Sequence, residues 1–246
     1  MRYDSAMINL LPVAKTIRFS ERATRRRVAL ALIYDLADFS RFANHPSAER
    51  YVPRFINYVS SAMETVIYGG SPYWIDGDTE YDTLLEPVHE KFLGDGALYL
   101  WEASARQPIR STFVLQLCDR LRLLRKNFQS VVDLAQHDVP VATVPREVRF
   151  GLAMGDVSRL SSKGRRQREY VGTCINLASR LQGHCKGIGF VAAATIGMNR
   201  ISGERADYKW VVAKNVKGFP LETVIVDRDE YDNARRRDRA SKFQDW

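Results

Sequence analysis

Val28-Ala29-Leu30-Ala31-Leu32-Ile33-Tyr34-Asp35-Leu36 is a nearly unbroken apolar run that closes on a carboxylate. It lacks the polar alternation of a half-solvated strand, so it reads as a strand buried on both faces at the centre of a sheet. Downstream, Pro46 to Tyr68 has helical spacing, with Tyr51, Phe55, Tyr58, Val59, Ala62, Met63 and Val66 on one face. Gly69 to Pro87 interrupts the pattern with Gly69, Gly70, Pro72, Gly77 and several acids, and reads as a long loop or insertion. Val88 to Glu102 is two apolar runs flanking Gly94-Asp95-Gly96, a hairpin signal. Ile109 to Leu134 is again helical and Val148 to Met154 strand-like.

Strand, helix, hairpin, helix, strand is the order of an α+β fold with a ferredoxin-like βαββαβ core, its helices expected on one face of an antiparallel sheet. A smaller C-terminal α/β lobe follows. It is read from a helix at Thr173 to Leu181 and strand-like runs at Gly189 to Ala193, Trp210 to Val212 and Thr223 to Val226. The expected organisation is an N-terminal extension over residues 1–27, ending in Arg22, Arg25, Arg26 and Arg27. The domain proper covers 28–228, and a charged tail covers 229–246.

The 246 residues suffice for one fully cored domain, and the formal net charge of +8 favours anionic partners without choosing among them. Three cysteines, Cys118, Cys174 and Cys185, form no CxxC pair, which argues against a disulfide framework or zinc ribbon. No apolar run reaches membrane-spanning length and Pro12 breaks the N-terminal apolar patch, so a cytoplasmic protein without a membrane partner is expected. Asp76 to Asp82 has the alternating acids of a calcium loop, but its glycine and closing glutamate are misplaced for an EF-hand.

Asp35 ends the central strand and Asp95 sits at the hairpin tip. Carboxylates at the ends of adjacent strands can share a pair of hard cations, which suits in-line phosphoryl chemistry. Singly, each acid is more readily an ordinary turn residue. The flanking residues supply more. Asp35-Leu36-Ala37-Asp38-Phe39-Ser40 resembles the Asp-Ile-x-Gly-Phe-Thr motif of class III nucleotidyl cyclases. Lys91-Phe92-Leu93-Gly94-Asp95 resembles that family's Lys-x-x-Gly-Asp hairpin, and Arg149-Phe150-Gly151-Leu152-Ala153-Met154-Gly155 its Arg-x-Gly-x-x-x-Gly strand. Gly172-Thr173-Cys174-Ile175-Asn176-Leu177-Ala178-Ser179-Arg180 is similar to its Gly-x-x-Val-Asn-x-Ala-x-Arg motif, and Lys217-Gly218-Phe219 to its closing Lys-Gly-Phe. The matches come in family order.

The resemblance implies the class III cyclase fold and a residue set. Asp35 and Asp95, with Leu36, would bind two divalent cations, Mg2+ or Mn2+. The backbone from Leu36 through Phe39 to Ser40 would cradle phosphates. Lys217 would neutralise the triphosphate. Asn176 would orient the ribose, and Arg180 would stabilise charge on the α-phosphate, both reaching across from a partner subunit. A homodimer with composite active sites is therefore implied. Base-reading positions would be Lys91 and Glu169.

Lys with glutamate is neither the adenylate nor the guanylate pairing of the family, and Asp38 stands where a glycine is usual. The metal acids are 95 − 35 = 60 positions apart because of the 69–87 insertion. A stand-alone cyclase with these departures resembles the PycC pyrimidine cyclases of bacterial Pycsar antiphage systems. That resemblance implies conversion of UTP to 3′,5′-cyclic UMP and pyrophosphate. Lys91 can donate to uracil O4 and Glu169 can accept from N3–H. Cytosine and adenine also suit the pair, so cytidylate and adenylate cyclases are the enzymatic alternatives. A nucleic-acid-binding module is the non-enzymatic one, supported by net charge and by Lys163, Arg165, Arg166 and Arg168. No aromatic RNA-binding strand motif accompanies those bases, so no nucleic-acid partner is expected.

Overall fold

The apolar run of the sequence is buried on both faces: Ala29 to Leu32 have no exposed surface. The computed structural model describes residues 25–75, 77–161, 169–185, 187–197 and 207–246. The chain runs β1 (Arg26–Leu36), α1 (Phe39–Ala43), α2 (Ala48–Tyr68), β2 (His89–Phe92), β3 (Gly96–Glu102), α3 (Ser111–Lys126), α4 (Phe128–Gln136) and β4 (Val148–Leu160). It continues as β5 (Glu169–Gly172), α5 (Thr173–His184), β6 (Phe190–Ala193), β7 (Tyr208–Val216), β8 (Phe219–Asp227), α6 (Arg228–Asn233), α7 (Arg236–Lys242) and β9 (Phe243–Asp245).

β1 pairs antiparallel with β3 and β4, and β2 pairs with β3. The order β2-β3-β1-β4 is the ferredoxin-like core expected from the element sequence. The C-terminal α/β portion joins it through the parallel pairing of β4 with β6 and continues as β8-β7-β9. β5 pairs with the far end of β4. Among the described residues these nine strands form one sheet. The terminal residues 243–245, read as part of a charged tail, add its last strand, and Arg26 and Arg27 begin its central one.

Alternate residues of β1 feed two cores. Leu30, Leu32, Tyr34 and Leu36 pack toward α2, α3 and α4, with the buried α2 face of Phe55, Val59, Ala62, Met63, Val66 and Ile67. Ala29, Ala31 and Ile33 pack toward α5, against Leu177, Ala178 and Leu181. Helices therefore cover both faces, not one. The reason lies in small residues. A Cβ at Gly151 of β4 would run into the Ala178 carbonyl oxygen and the Gln182 amide nitrogen of α5. Glycine there lets the helix seat directly on the sheet.

The helical stretch expected over 109–134 is two helices. It breaks at Asn127, whose Nδ2 and backbone N–H both donate to the Leu123 carbonyl (2.9 and 3.1 Å) and so satisfy an otherwise orphaned helix-end acceptor. The 69–87 insertion is tied down rather than splayed. Gly70 and Tyr81 exchange backbone hydrogen bonds, Trp74 is buried, and Arg120 of α3 donates to the Asp82 carbonyl (2.7 Å). Asp76, in the acidic run, lies outside the described residues, as do Arg22 and the basic tip at 163–168.

Charge pairs bind α3 to the C-terminal elements: Arg122 donates to Asp227 (2.6 Å) and Arg125 to Glu230 (2.9 Å). Arg122 and Asp227 are both buried, so removing either would leave the other with only a longer pairing, Arg122 to Asp207 (3.5 Å) or Asp227 to Lys126 (3.7 Å). Cys118, Cys174 and Cys185 are buried and free. No helix among the described residues is long and apolar enough to cross a membrane.

Candidate functional site

The two strand-end acids meet at one edge of the core. Asp35 stands opposite Gly96 in the β1–β3 register, one residue from Asp95. The Leu36 N–H donates to the Asp95 carbonyl (3.0 Å), which fixes the hairpin tip to the end of β1. A Cβ at Gly96 would collide with the Tyr34 carbonyl oxygen, so this glycine is required by the close approach itself. Arg149, opposite Asp35 on β4, donates from Nε and Nη2 to the two Asp35 oxygens at 2.9 Å each. Burial pushes the Asp35 carboxyl above its ordinary value, Arg149 pulls it back, and the charge of Asp95 raises it again. Two neighbouring carboxylates, with a single guanidinium bound to Asp35, form a site that can take added positive charge.

Sequence reasoning assigned no role to Arg149. Its signal was its place at the head of the Arg-x-Gly strand, which becomes informative only once β4 is known to lie beside β1 in this register.

Phe39, Ser40, Leu93, Gly94 and Asp95 line a shallow cleft of about 360 Å³ beside the acids. Phe39 also turns its ring onto Phe42, so what it offers a ligand is backbone. Of the amides expected to cradle phosphates over residues 36–40, two are already engaged. The Leu36 N–H is committed to Asp95 and the Ala37 N–H to the Glu147 carbonyl (2.9 Å), which leaves the amides of residues 38–40. Asp38 takes the left-handed conformation (φ 60°), which explains the glycine usual at this point of the motif. A larger cleft of about 490 Å³ on the other side of this turn is lined by Arg41, Arg146 and Arg149 together with Asp38, Glu147 and Asp238.

Lys91 and Glu169 come together in a different cleft, of about 280 Å³, on the face that α5 covers. Lys91 Nζ donates to Glu169 Oε2 at 2.7 Å, and both side chains are partly exposed. Ile33, Leu98 and Ile175 supply apolar wall, and Asn176 and Ser179 supply polar edge. Leu93 lines this cleft and the acid cleft, so the β2–β3 hairpin stands between the two. Its tip is conspicuously apolar, with Phe92 and Leu93 exposed, as is Val171 on β5.

Asn176 and Arg180 are four residues apart on the exposed side of α5, as their spacing requires. Arg180 lines none of these clefts, and neither does Lys217, exposed in the β7–β8 turn where Gly218 has φ 83°. Among the described residues, no three His, Cys, Asp or Glu side chains converge as a metal cage. His184 and Cys185 are engaged in packing: the ring packs on Phe243 and the thiol donates to the Phe150 carbonyl (3.1 Å).

No protein-family model matches this chain, and no curated protein matches it in sequence. Solved structures do match in fold. A guanylyl cyclase, Cya2, superposes with a TM-score of 0.60 at 18% identity, over 84% of this chain and 93% of that one. The adenylyl cyclase CyaB from P. aeruginosa gives 0.60 at 18% identity, over 87% and 98%. A bacterial light-regulated adenylyl cyclase gives 0.56 at 12% identity, over 85% and 53%. The chain has the nucleotide cyclase fold.

Proposed function

We propose that this chain is a class III nucleotidyl cyclase that converts UTP to 3′,5′-cyclic UMP and pyrophosphate in composite sites of a homodimer. The observation that carries the reading is the division of labour on one chain. A cleft lined by Asp95, with Asp35 beside it in the strand register, and a base-sized cleft (Lys91, Glu169, Asn176) stand on either side of the β2–β3 hairpin, each able to hold half of what the reaction needs. Two copies related by a twofold axis would set the acid half of one against the base half of the other, twice. The exposed Phe92, Leu93 and Val171 beside the clefts suit such a contact.

Asp35 and Asp95 with the Leu36 backbone are hard oxygen donors that fit Mg2+ or Mn2+. Bound there, such ions supply positive charge for the triphosphate and acidify the ribose 3′-hydroxyl. The chain's own groups do the rest. In the reaction the 3′ oxygen attacks the α-phosphorus, the bond to the bridging oxygen breaks, pyrophosphate leaves, and the hydroxyl proton is lost to solvent. Arg180 stabilises the charge gathering on the α-phosphate, where a planar guanidinium gains most. Asn176 holds the ribose, Lys217 neutralises the triphosphate, and the amides of Phe39 and Ser40 face its oxygens.

Lys91 donates to uracil O4 and Glu169 accepts from N3–H. Their mutual ion pair is partly exposed and worth roughly 0–1 kcal/mol, so a base edge can compete for both groups. Adenylate and cytidylate cyclase remain the enzymatic alternatives, because adenine and cytosine each pair one donor with one acceptor. The PycC resemblance extends the reading to cyclic-nucleotide signalling in phage defence. The test is product analysis with each of the four nucleoside triphosphates and Mn2+. Cyclic UMP is expected to dominate, a higher kcat/KM for ATP would replace the uridylate reading with the adenylate one, and no cyclic product would end the enzyme reading.

A further inference from the structure

His89 stands two residues before Lys91 on β2, so both side chains leave the strand on the same side. It lines the same cleft as Lys91 and Glu169. The residue is 8% exposed, an unusual depth for a polar ring with no hydrogen-bond partner among the described residues. Its ring packs on Tyr170, the neighbour of Glu169, at 5.0 Å between centroids. Burial lowers its pKa, Glu169 opposes that and Lys91 adds to it, so the imidazole is neutral at physiological pH. A neutral imidazole has one N–H donor, and nothing in the described protein uses it. The ring borders the cleft, so a ligand atom there can accept from this N–H.

We propose that His89 is a third base-reading group, donating to O2 of a uracil ring whose O4 and N3–H meet Lys91 and Glu169. The inference rests on the function proposed above and deepens it. Lys91 donates only, Glu169 accepts only, and His89 donates with its single N–H, giving a donor–acceptor–donor set. Uracil's edge is acceptor–donor–acceptor: O4, N3–H, O2. Cytosine offers donor–acceptor–acceptor. Turned over, it can set Glu169 on its N4 amine and Lys91 on N3, adjacent atoms that suit this pair, but its O2 then falls on the Lys91 side, away from a His89 donor placed beyond Glu169. Guanine matches the first two positions and sets its N2 amine against the His89 donor. Adenine has no third polar group on that edge.

The experiment compares wild type, His89→Phe and His89→Gln in the full chain. Phenylalanine keeps the ring contact with Tyr170 and the buried volume but has no donor, and glutamine restores an N–H near the position of Nε2. Steady-state kcat/KM is measured for UTP and CTP, with inhibition by inorganic pyrophosphate as the control for the phosphate half. His89→Phe should lower kcat/KM for UTP by roughly 10- to 100-fold and lower the UTP-to-CTP ratio with it, while pyrophosphate inhibition stays unchanged. His89→Gln should recover part of the loss. An unchanged ratio in His89→Phe, or equal losses for both triphosphates, overturns the role of His89 and leaves the cyclase reading standing. A wild type that cyclises ATP in preference to UTP overturns the uracil edge as well. A wild type inert toward every triphosphate overturns both readings.

Discussion

The acid cleft and the base cleft are built by different means. The acids are held by the main chain: Asp35 and Asp95 are fixed by strand register and by the Leu36-to-Asp95 hydrogen bond, and Gly96 permits the approach. The base cleft is held by side chains. β2 and β5 are not neighbours in the sheet, and across the cleft they meet through the Lys91–Glu169 pair and the His89–Tyr170 ring contact. Backbone register tolerates almost no variation, because a one-residue slip reverses every side chain. Side-chain contacts across a cleft can be exchanged without disturbing a strand. On the proposed reading, one fold could thus keep its phosphoryl chemistry and change the base it reads.

The sharpest way to break this contrast is charge removal in the acid half. Asp35→Asn and Asp95→Asn should each reduce turnover by about 10³-fold or more, with the melting temperature and dimer content near wild type. Substantial turnover in either variant would separate the acids from catalysis. Next in size is complementation. Asp35→Asn and Arg180→Ala chains, inactive apart, should regain roughly a quarter of wild-type sites when mixed, since half of randomly paired dimers carry one intact site of two. Activity assays beside native mass measurement of heterodimers decide it, and heterodimers without activity would place both residues in one chain's site. Glu169→Ala should act on the base half alone. It should lower UTP preference by about 10²-fold while the Mn2+ dependence and pyrophosphate inhibition stay as in wild type.

The smallest effect concerns the support behind the acid half. Glu147, whose carbonyl accepts the Ala37 N–H, and Glu230 both face Arg125. Burial pushes the Glu230 carboxyl up to about 7 in spite of Arg125. The folded protein therefore holds this proton more tightly than the unfolded chain, whose carboxyl titrates near 4.5. The stability it contributes is complete below about 4.5 and is lost as pH rises through about 7. Thermal melts between pH 5 and pH 8 should fall toward the alkaline end, and Glu230→Gln should flatten that slope. An unchanged slope would mean that Arg125 keeps Glu230 ionised throughout.

The same contrast decides what could be read before the structure. β1 was legible because a central strand needs no polar face, and the hairpin because Gly94-Asp95-Gly96 interrupts two apolar runs. The Asn176–Arg180 spacing was legible because one helix turn dictates it. The break at Asn127 was not, since a single side chain reaching back to a carbonyl leaves the apolar period intact on either side. Nor was the seat of α5, which depends on Gly151 meeting helix residues 27 and 31 positions further on, Ala178 and Gln182. The pairing of Arg149 with Asp35 needed the β1–β4 register, and His89 needed Tyr170 beside it. Contacts made only when distant strands converge leave no period in the chain, and a motif that holds their residues does not name their partners.

The contact of Gly151 with α5 also bears on movement. At Gly151 helix and strand sit at backbone-to-backbone distance, with no side chain between them there to shear. Asn176 and Arg180 therefore ride on the sheet as fixed fittings of their own protomer. If a partner's Arg180 must swing toward a triphosphate held at Asp35, α5 cannot make that stroke by sliding. The travel has to be taken up where one subunit pivots on the other. The seam between two copies would then be the hinge of the machine, and turnover should respond to anything that stiffens or loosens it.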